Sequence, residues 1–118
     1  MEPFEAAKLA VRALSDKQGA DIRLLKTEEL TVLADYFVIC TATSTPHVRT
    51  LYDEVDLRLS MAGMPPIRRE GARNSNWLLL DFGSVVVHIF QKDTRAFYNL
   101  ERLWSDATEI DITEIEAE

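Results

Sequence analysis

From Trp77 to Phe90 the chain alternates around a single Gly-Ser pair. Leu, Val, Ile, Phe and Trp fill both arms, and such residues suit the pleated, half-buried surface of a strand. Gly83-Ser84 between the arms fits a two-residue hairpin turn that opens on glycine, because glycine accepts the positive φ required there. This turn predicts Phe82 opposite Val85, Leu80 opposite Val87 and Leu78 opposite Ile89. Side chains alternate across a strand, so these residues share one wholly apolar face, the predicted core face. Trp77, Leu79, Asp81, Val86, His88 and Phe90 share the other. That face mixes apolar and polar groups, and any function of the hairpin belongs to it.

Upstream, Phe4, Ala7, Val11 and Leu14 recur at helical spacing with Ala6, Ala10 and Ala13 beside them. They predict a helix beginning at Pro3 and stopping at Gly19. Asp21–Lys26 alternates as a strand, and Thr27–Thr31 reads as a polar loop. Asp35–Thr41 is a nearly unbroken apolar run, the pattern of a central strand buried on both faces. Ser44 is placed to cap a helix whose apolar side is Val48, Leu51, Tyr52, Val55, Leu59 and Ala62. Gly63 and Pro65-Pro66 end it.

Ile67–Glu70 is a short strand candidate, and Gly71–Asn76 is a polar loop. After the hairpin, Asp93 or Thr94 caps a short helix with Phe97, Leu100 and Leu103 or Trp104 inside. The last 14 residues are acidic with isolated Ile110, Ile112 and Ile115, a frayed segment or a weak edge element. The order α-β-β-α-β-β-β-α describes a small single α/β domain with a mixed sheet and helices packed on it. Residues 1–104 form the domain and 105–118 an acidic tail that contributes little to folding.

Composition narrows the function. The chain has 118 residues and a net charge of −7, and six of its acidic groups lie in Ser105–Glu118 with no basic one among them. The rest is nearly neutral. Gripping nucleic acid needs clustered Lys and Arg, so a basic protein surface is the better partner. No apolar run reaches the roughly 20 residues that span a bilayer. The start Met1-Glu2-Pro3-Phe4-Glu5 lacks the features of a signal or transit peptide. Cys40 is the single cysteine, which excludes an intrachain disulfide and a cysteine zinc cluster. It reads as a buried, inert thiol in a cytoplasmic protein.

Candidate chemistry is thin. Metal-dependent nucleotidyl transfer gathers two or three carboxylates around divalent ions. Asp81 stands on a strand as such a carboxylate would, but Leu79 and not a second acid shares its face. No glycine-rich phosphate loop precedes a helix. His47 and His88 have no metal-ligand spacing, and His47 sits in a stretch that helix capping explains. His88 suits either a hydrogen-bonded sheet histidine or a surface contact. Trp77, Tyr98 and Trp104, three large aromatics near one sheet edge, suit an interface.

The same residues carry a family resemblance. Ala34–Ser44, His47-Val48, Glu70-Gly71, Trp77–Gly83, Val86–Phe90 and Arg95–Trp104, in that order, resemble the ribosomal silencing factors, also called Iojap-like. The match runs from the first helix to Trp104 and leaves the acidic tail outside. Ala42 stands where many relatives carry glycine.

The resemblance implies a nucleotidyltransferase-like fold without its catalytic acids, and a translation repressor that is not an enzyme and uses no cofactor or metal. Such factors are expected to bind the large ribosomal subunit through its fourteenth protein and to block joining of the small subunit when nutrients are short. Organellar relatives act in large-subunit assembly, and a homodimer is compatible with the family. On this reading Trp77, Leu79, Asp81, His88 and Phe90, with Glu70, Tyr98, Glu101 and Trp104 around them, contact the ribosomal protein, with little direct RNA contact and no membrane. The competing reading is a small nucleotidyltransferase-like, nucleotide-binding enzyme.

Overall fold

Pro3 opens the first helix because its missing N–H and fixed φ suit a first helical turn. In the computed structural model, which describes residues 1–27, 34–71, 76–94 and 107–117, helix α1 spans Pro3–Asp16. Its inner face is Ala6, Ala7, Ala10, Val11, Ala13 and Leu14, all buried. Four of these are alanines, so the helix backbone lies close to its neighbours. The left-handed residue past its end is Gln18, with φ 67°, and not Gly19. Gly19 answers a different need. A Cβ there would fall 2.6 Å from the Cys40 Sγ, so glycine lets the chain pass the buried thiol.

Strand β1 (Ala20–Lys26) and strand β2 (Tyr36–Ala42) follow. Helix α2 spans Thr45–Met61, and the Ser44 Oγ accepts the His47 N–H as its cap. Val48, Leu51, Tyr52, Val55 and Leu59 are its buried face, as the spacing predicts, whereas Ala62, expected on that face, is the exposed C-cap residue. Gly63 ends it with φ 88°, and the Met64 N–H reaches the Leu59 carbonyl at 2.8 Å. That pattern satisfies carbonyls left open at a helix end.

Strands β3 (Arg68–Glu70), β4 (Trp77–Asp81) and β5 (Val85–Gln91) come next. The β4–β5 register is the expected one, with Leu80 opposite Val87 and Leu78 opposite Ile89. Gly83 takes φ 89° in the turn. The chain turns helical at residues 92–94. The remainder of the expected helix, with Phe97, Leu100, Leu103 and Trp104, lies outside the described residues. Among those described, no helix is long and apolar enough to cross a membrane.

The six strands form one mixed sheet in the order β3-β4-β5-β2-β1-β6. Its central pair, β2 and β5, is parallel, and the other pairings are antiparallel. Helices α1 and α2 cover one face. Leu78, Leu80, Val85, Val87 and Ile89 lie in that core, each at most 1% exposed. On the other face Leu25, Ile39 and Phe90 make a second, smaller core with Phe37, Trp77 and Ala107 against it. Val38 and Cys40 of β2 point into the first core and Ile39 into the second. The strand is thus buried on both sides.

The tail corrects an expectation. Strand β6 (Thr108–Ile110) pairs with β1, Leu24 opposite Ile110 and Lys26 opposite Thr108. Arg23 pairs with Glu109 across that ladder. A short C-terminal helix, Thr113–Ala117, returns to α1, where the Ser15 Oγ–H bonds Glu116. Ile115 is 5% exposed and part of the main core, with Ile110 and Ile112 packed against it. Glu109, Asp111, Glu114 and Glu116 face water while the isoleucines face the protein, so the segment is an edge element that adds to the fold.

Three stability measurements check this packing. Leu80→Ala removes a fully buried side chain and is expected to cost about 2–5 kcal/mol in urea melts. Ile115→Ala is expected to cost about 2 kcal/mol or more. A chain ending at Trp104 should melt well below the full-length protein, the reverse of what a dispensable tail would show.

Candidate functional site: the second face of the sheet

The register lines up side chains across the sheet. Glu70 of β3 lies opposite Leu79 of β4, Leu79 opposite His88 of β5, and His88 opposite Ile39 of β2. This row runs from solvent inward. Glu70 is exposed, Leu79 is half-buried and His88 is 6% exposed. A second row holds Arg68, Asp81, Val86 and Phe37. Trp77 lies opposite Phe90.

Two of the residues predicted to contact a partner are therefore corrected. Phe90 is fully buried, and His88 nearly so. They belong to the second core, which the mixed polarity of this face concealed. Trp77 stacks on Phe90 with ring centroids 4.9 Å apart at 23°. His88 stacks parallel to Phe90 at 6.0 Å and lies 5.4 Å from Phe37. Glu70, Leu79 and Trp77 do come together. With Gly71 they line an open depression of about 200 Å³.

Gly71 was not anticipated, and its role is steric. Its φ is +109°, and a Cβ there would fall 2.5 Å from the Leu78 Cδ2 and 2.7 Å from the Trp77 carbonyl oxygen. The Glu70-Gly71 step ahead of a polar loop was the available signal.

Asp81 holds the hairpin together. Its Oδ1 accepts the Gly83 N–H at 2.8 Å, and its Oδ2 lies 3.5 Å from the Arg68 Nη2. Arg68 also approaches Glu70, 3.4 Å from Nε to Oε1. Asp81 thus flanks and braces the turn, and Arg68 bridges the acids of the rim. Tyr98, Glu101 and Trp104 lie outside the described residues. No three His, Cys, Asp or Glu side chains converge as a metal site among the described residues.

The histidines differ in kind. His47 closes a junction between α1 and α2. Its Nδ1 accepts the Thr43 N–H at 2.9 Å, so its Nε2–H donates to the Lys17 carbonyl at 2.8 Å. The expected capping role falls to its backbone N–H, which donates to the Ser44 Oγ. The His88 Nδ1 accepts the Trp77 Nε1–H at 3.3 Å, while its buried Nε2 has no hydrogen-bond partner among the described residues. Burial disfavours the charged ring and pushes its pKa down to about 4.

The fold and this face define a small α/β domain of six mixed strands that presents a partly apolar surface with charged residues at its rim. The chain belongs to the ribosomal silencing factor family. The model described as "Ribosomal silencing factor during starvation" matches residues 1–118, including the tail that the resemblance left out. A relative named ribosomal silencing factor RsfS, from Halalkalibacterium halodurans, is 38% identical over 112 residues, 95% of this chain and 96% of that one. The crystal structure of a protein from Chromobacterium violaceum superposes with a TM-score of 0.86 at 38% identity, over 89% of this chain and 88% of that one. A mouse protein named "Mitochondrial assembly of ribosomal large subunit protein 1" is 32% identical over 100 residues, 82% of this chain and 44% of its own length.

The buried imidazole sets a pH dependence. Native His88 stays neutral down to about pH 4, whereas an unfolded histidine takes up a proton near pH 6.5. The unfolded state therefore binds more protons between these values, and stability falls as pH drops through that window. From pH 7 to pH 5 this contribution amounts to about 2 kcal/mol. Urea melts at the two pH values should show it, and His88→Phe should lessen the difference by about that amount.

Proposed function

We propose that this protein silences ribosomes by occupying the large subunit. It docks through the second face of its sheet on a basic surface of the fourteenth large-subunit protein, and so keeps the small subunit from joining. The observation that carries this reading is the match to a family described as silencing ribosomes during starvation, over the whole of residues 1–118. The face suits the task. Trp77 and Leu79 offer half-buried apolar area beside Glu70 and Gly71, and an aromatic anchor in a small recess is the usual centre of a binding hot spot. Glu70 at the rim matches a basic partner. The action is steric and needs no catalytic step, cofactor or metal, and the protein works in the cytoplasm.

The mouse relative's name favours a second reading, a role in assembling the large subunit. The two separate in cells lacking the protein. Silencing predicts mature large subunits that join too readily in starvation, and assembly predicts an accumulation of unfinished ones.

Sedimentation of purified subunits is the direct test. The protein should travel with the large subunit and reduce the yield of joined ribosomes. Leu79→Ala is expected to weaken binding by about 2 kcal/mol, roughly 30-fold, while the domain stays folded by circular dichroism. Glu70→Lys should slow association and reduce its dependence on salt. Wild-type inhibition of joining by both folded variants would remove this face from the docking surface.

A further inference from the structure

We propose that His88 is a positioning residue for the docking face: its Nδ1 orients the Trp77 indole so that the ring walls the depression beside Glu70, Gly71 and Leu79. This rests on the reading above that the face docks on the large subunit.

Trp77 is stacked on Phe90 at 4.9 Å. A stack fixes the plane of an indole but leaves open which edge of the ring points inward. The Nε1–H donated to His88 at 3.3 Å selects one of those orientations. The acceptor is itself held in place. His88 is 6% exposed, lies 5.4 Å from the Phe37 ring, and stacks on Phe90 within 9° of parallel.

The cost side of the imidazole points the same way. Its Nε2 is buried without a partner among the described residues, and an orphaned polar atom in a core is unfavourable. A phenyl ring would fill nearly the same space among Phe37, Phe90 and Trp77 with no such atom. What the imidazole supplies and a phenyl does not is the acceptor for the indole. Trp77 in turn lines the depression. The chain from His88 to Trp77 to the recess thus links a buried group to a surface it does not itself form.

The test uses the full-length protein. His88→Phe keeps a stacked ring and removes the acceptor, and His88→Asn puts a side-chain oxygen close to the place of Nδ1. Trp77→Phe identifies the Trp77 indole N–H resonance by its loss. In His88→Phe we expect a folded protein, a displaced and faster-exchanging indole N–H, and about tenfold weaker sedimentation with purified large subunits. His88→Asn should restore the resonance and most of the binding, which a purely structural role would not do.

Trp77→Phe, which keeps a ring against Phe90 but lacks the donor, should lose about the same tenfold, and combining it with His88→Phe should add little. An unmoved indole resonance in folded His88→Phe would overturn the proposal. So would a displaced resonance with wild-type binding, or wild-type binding by Trp77→Phe should His88→Phe fail to fold. A wild-type protein that does not sediment with the large subunit would remove the docking reading itself. The indole comparison would then still decide whether His88 orients Trp77.

Discussion

The parallel pairing of β2 with β5 is the constraint on which the rest of the structure depends. Seven residue pairs run in register from Tyr36 opposite Val85 to Ala42 opposite Gln91. Two parallel strands need a crossover between them, and α2 begins that connection directly beyond β2. A parallel pair in the middle of a sheet is stable when both faces are covered. The helices cover one face. On the other, Leu25, Ile39 and Phe90 must be shielded too. The second face is consequently not a free surface that happens to carry function. It is a small core whose outer margin, at β3 and β4, opens to solvent.

That margin explains the division of labour among its residues. Moving outward from β5, burial relaxes from His88 through Leu79 to Glu70. Side chains at the inner end are held by packing, and those at the outer end are exposed enough to meet a partner. Asp81 lies on the same face but is engaged with the turn N–H of Gly83 and with Arg68. Reversing its charge would disturb the hairpin along with any interface. Leu79 and Glu70 have no such second duty in the turn, so their substitution reports on docking more cleanly.

Much of this was legible in the chain and some was not, for physical reasons. Strict alternation from Leu78 to Ile89 identified the helix-covered face and its register, because a one-residue slip would have turned Leu80 and Val87 outward. The Ser44 cap and the stop at Gly63 are local chemistry and were equally plain. The burial of His88 and Phe90 was not, because alternation says which residues share a face but not whether anything covers it. A histidine and an aspartate among apolar residues suggested solvent, yet the histidine is neutral and buried and the aspartate is turned to the hairpin. The tail misled in a related way. Its net charge described its outer side, while Ile110, Ile112 and Ile115 at spacings of two and three carried the packing.

The two edges of the sheet are closed in different ways, and both bear on how the domain can present an interface. Strand β6 and the C-terminal helix bind the β1 side, with Ile115 in the main core and Glu109 paired to Arg23. At the other end β3 is three residues long and exposed, with Arg68, Arg69 and Glu70 along it. Short, charged edge strands resist indiscriminate pairing with other chains. The β3 edge thus guards the sheet against aggregation while the adjoining face offers Trp77 and Leu79. An interface there gains its affinity from side chains held in place by the core behind them, since groups already ordered lose less entropy on binding. Under the proposed docking, the ring stack of Trp77, Phe90 and His88 supplies that rigidity behind the recess.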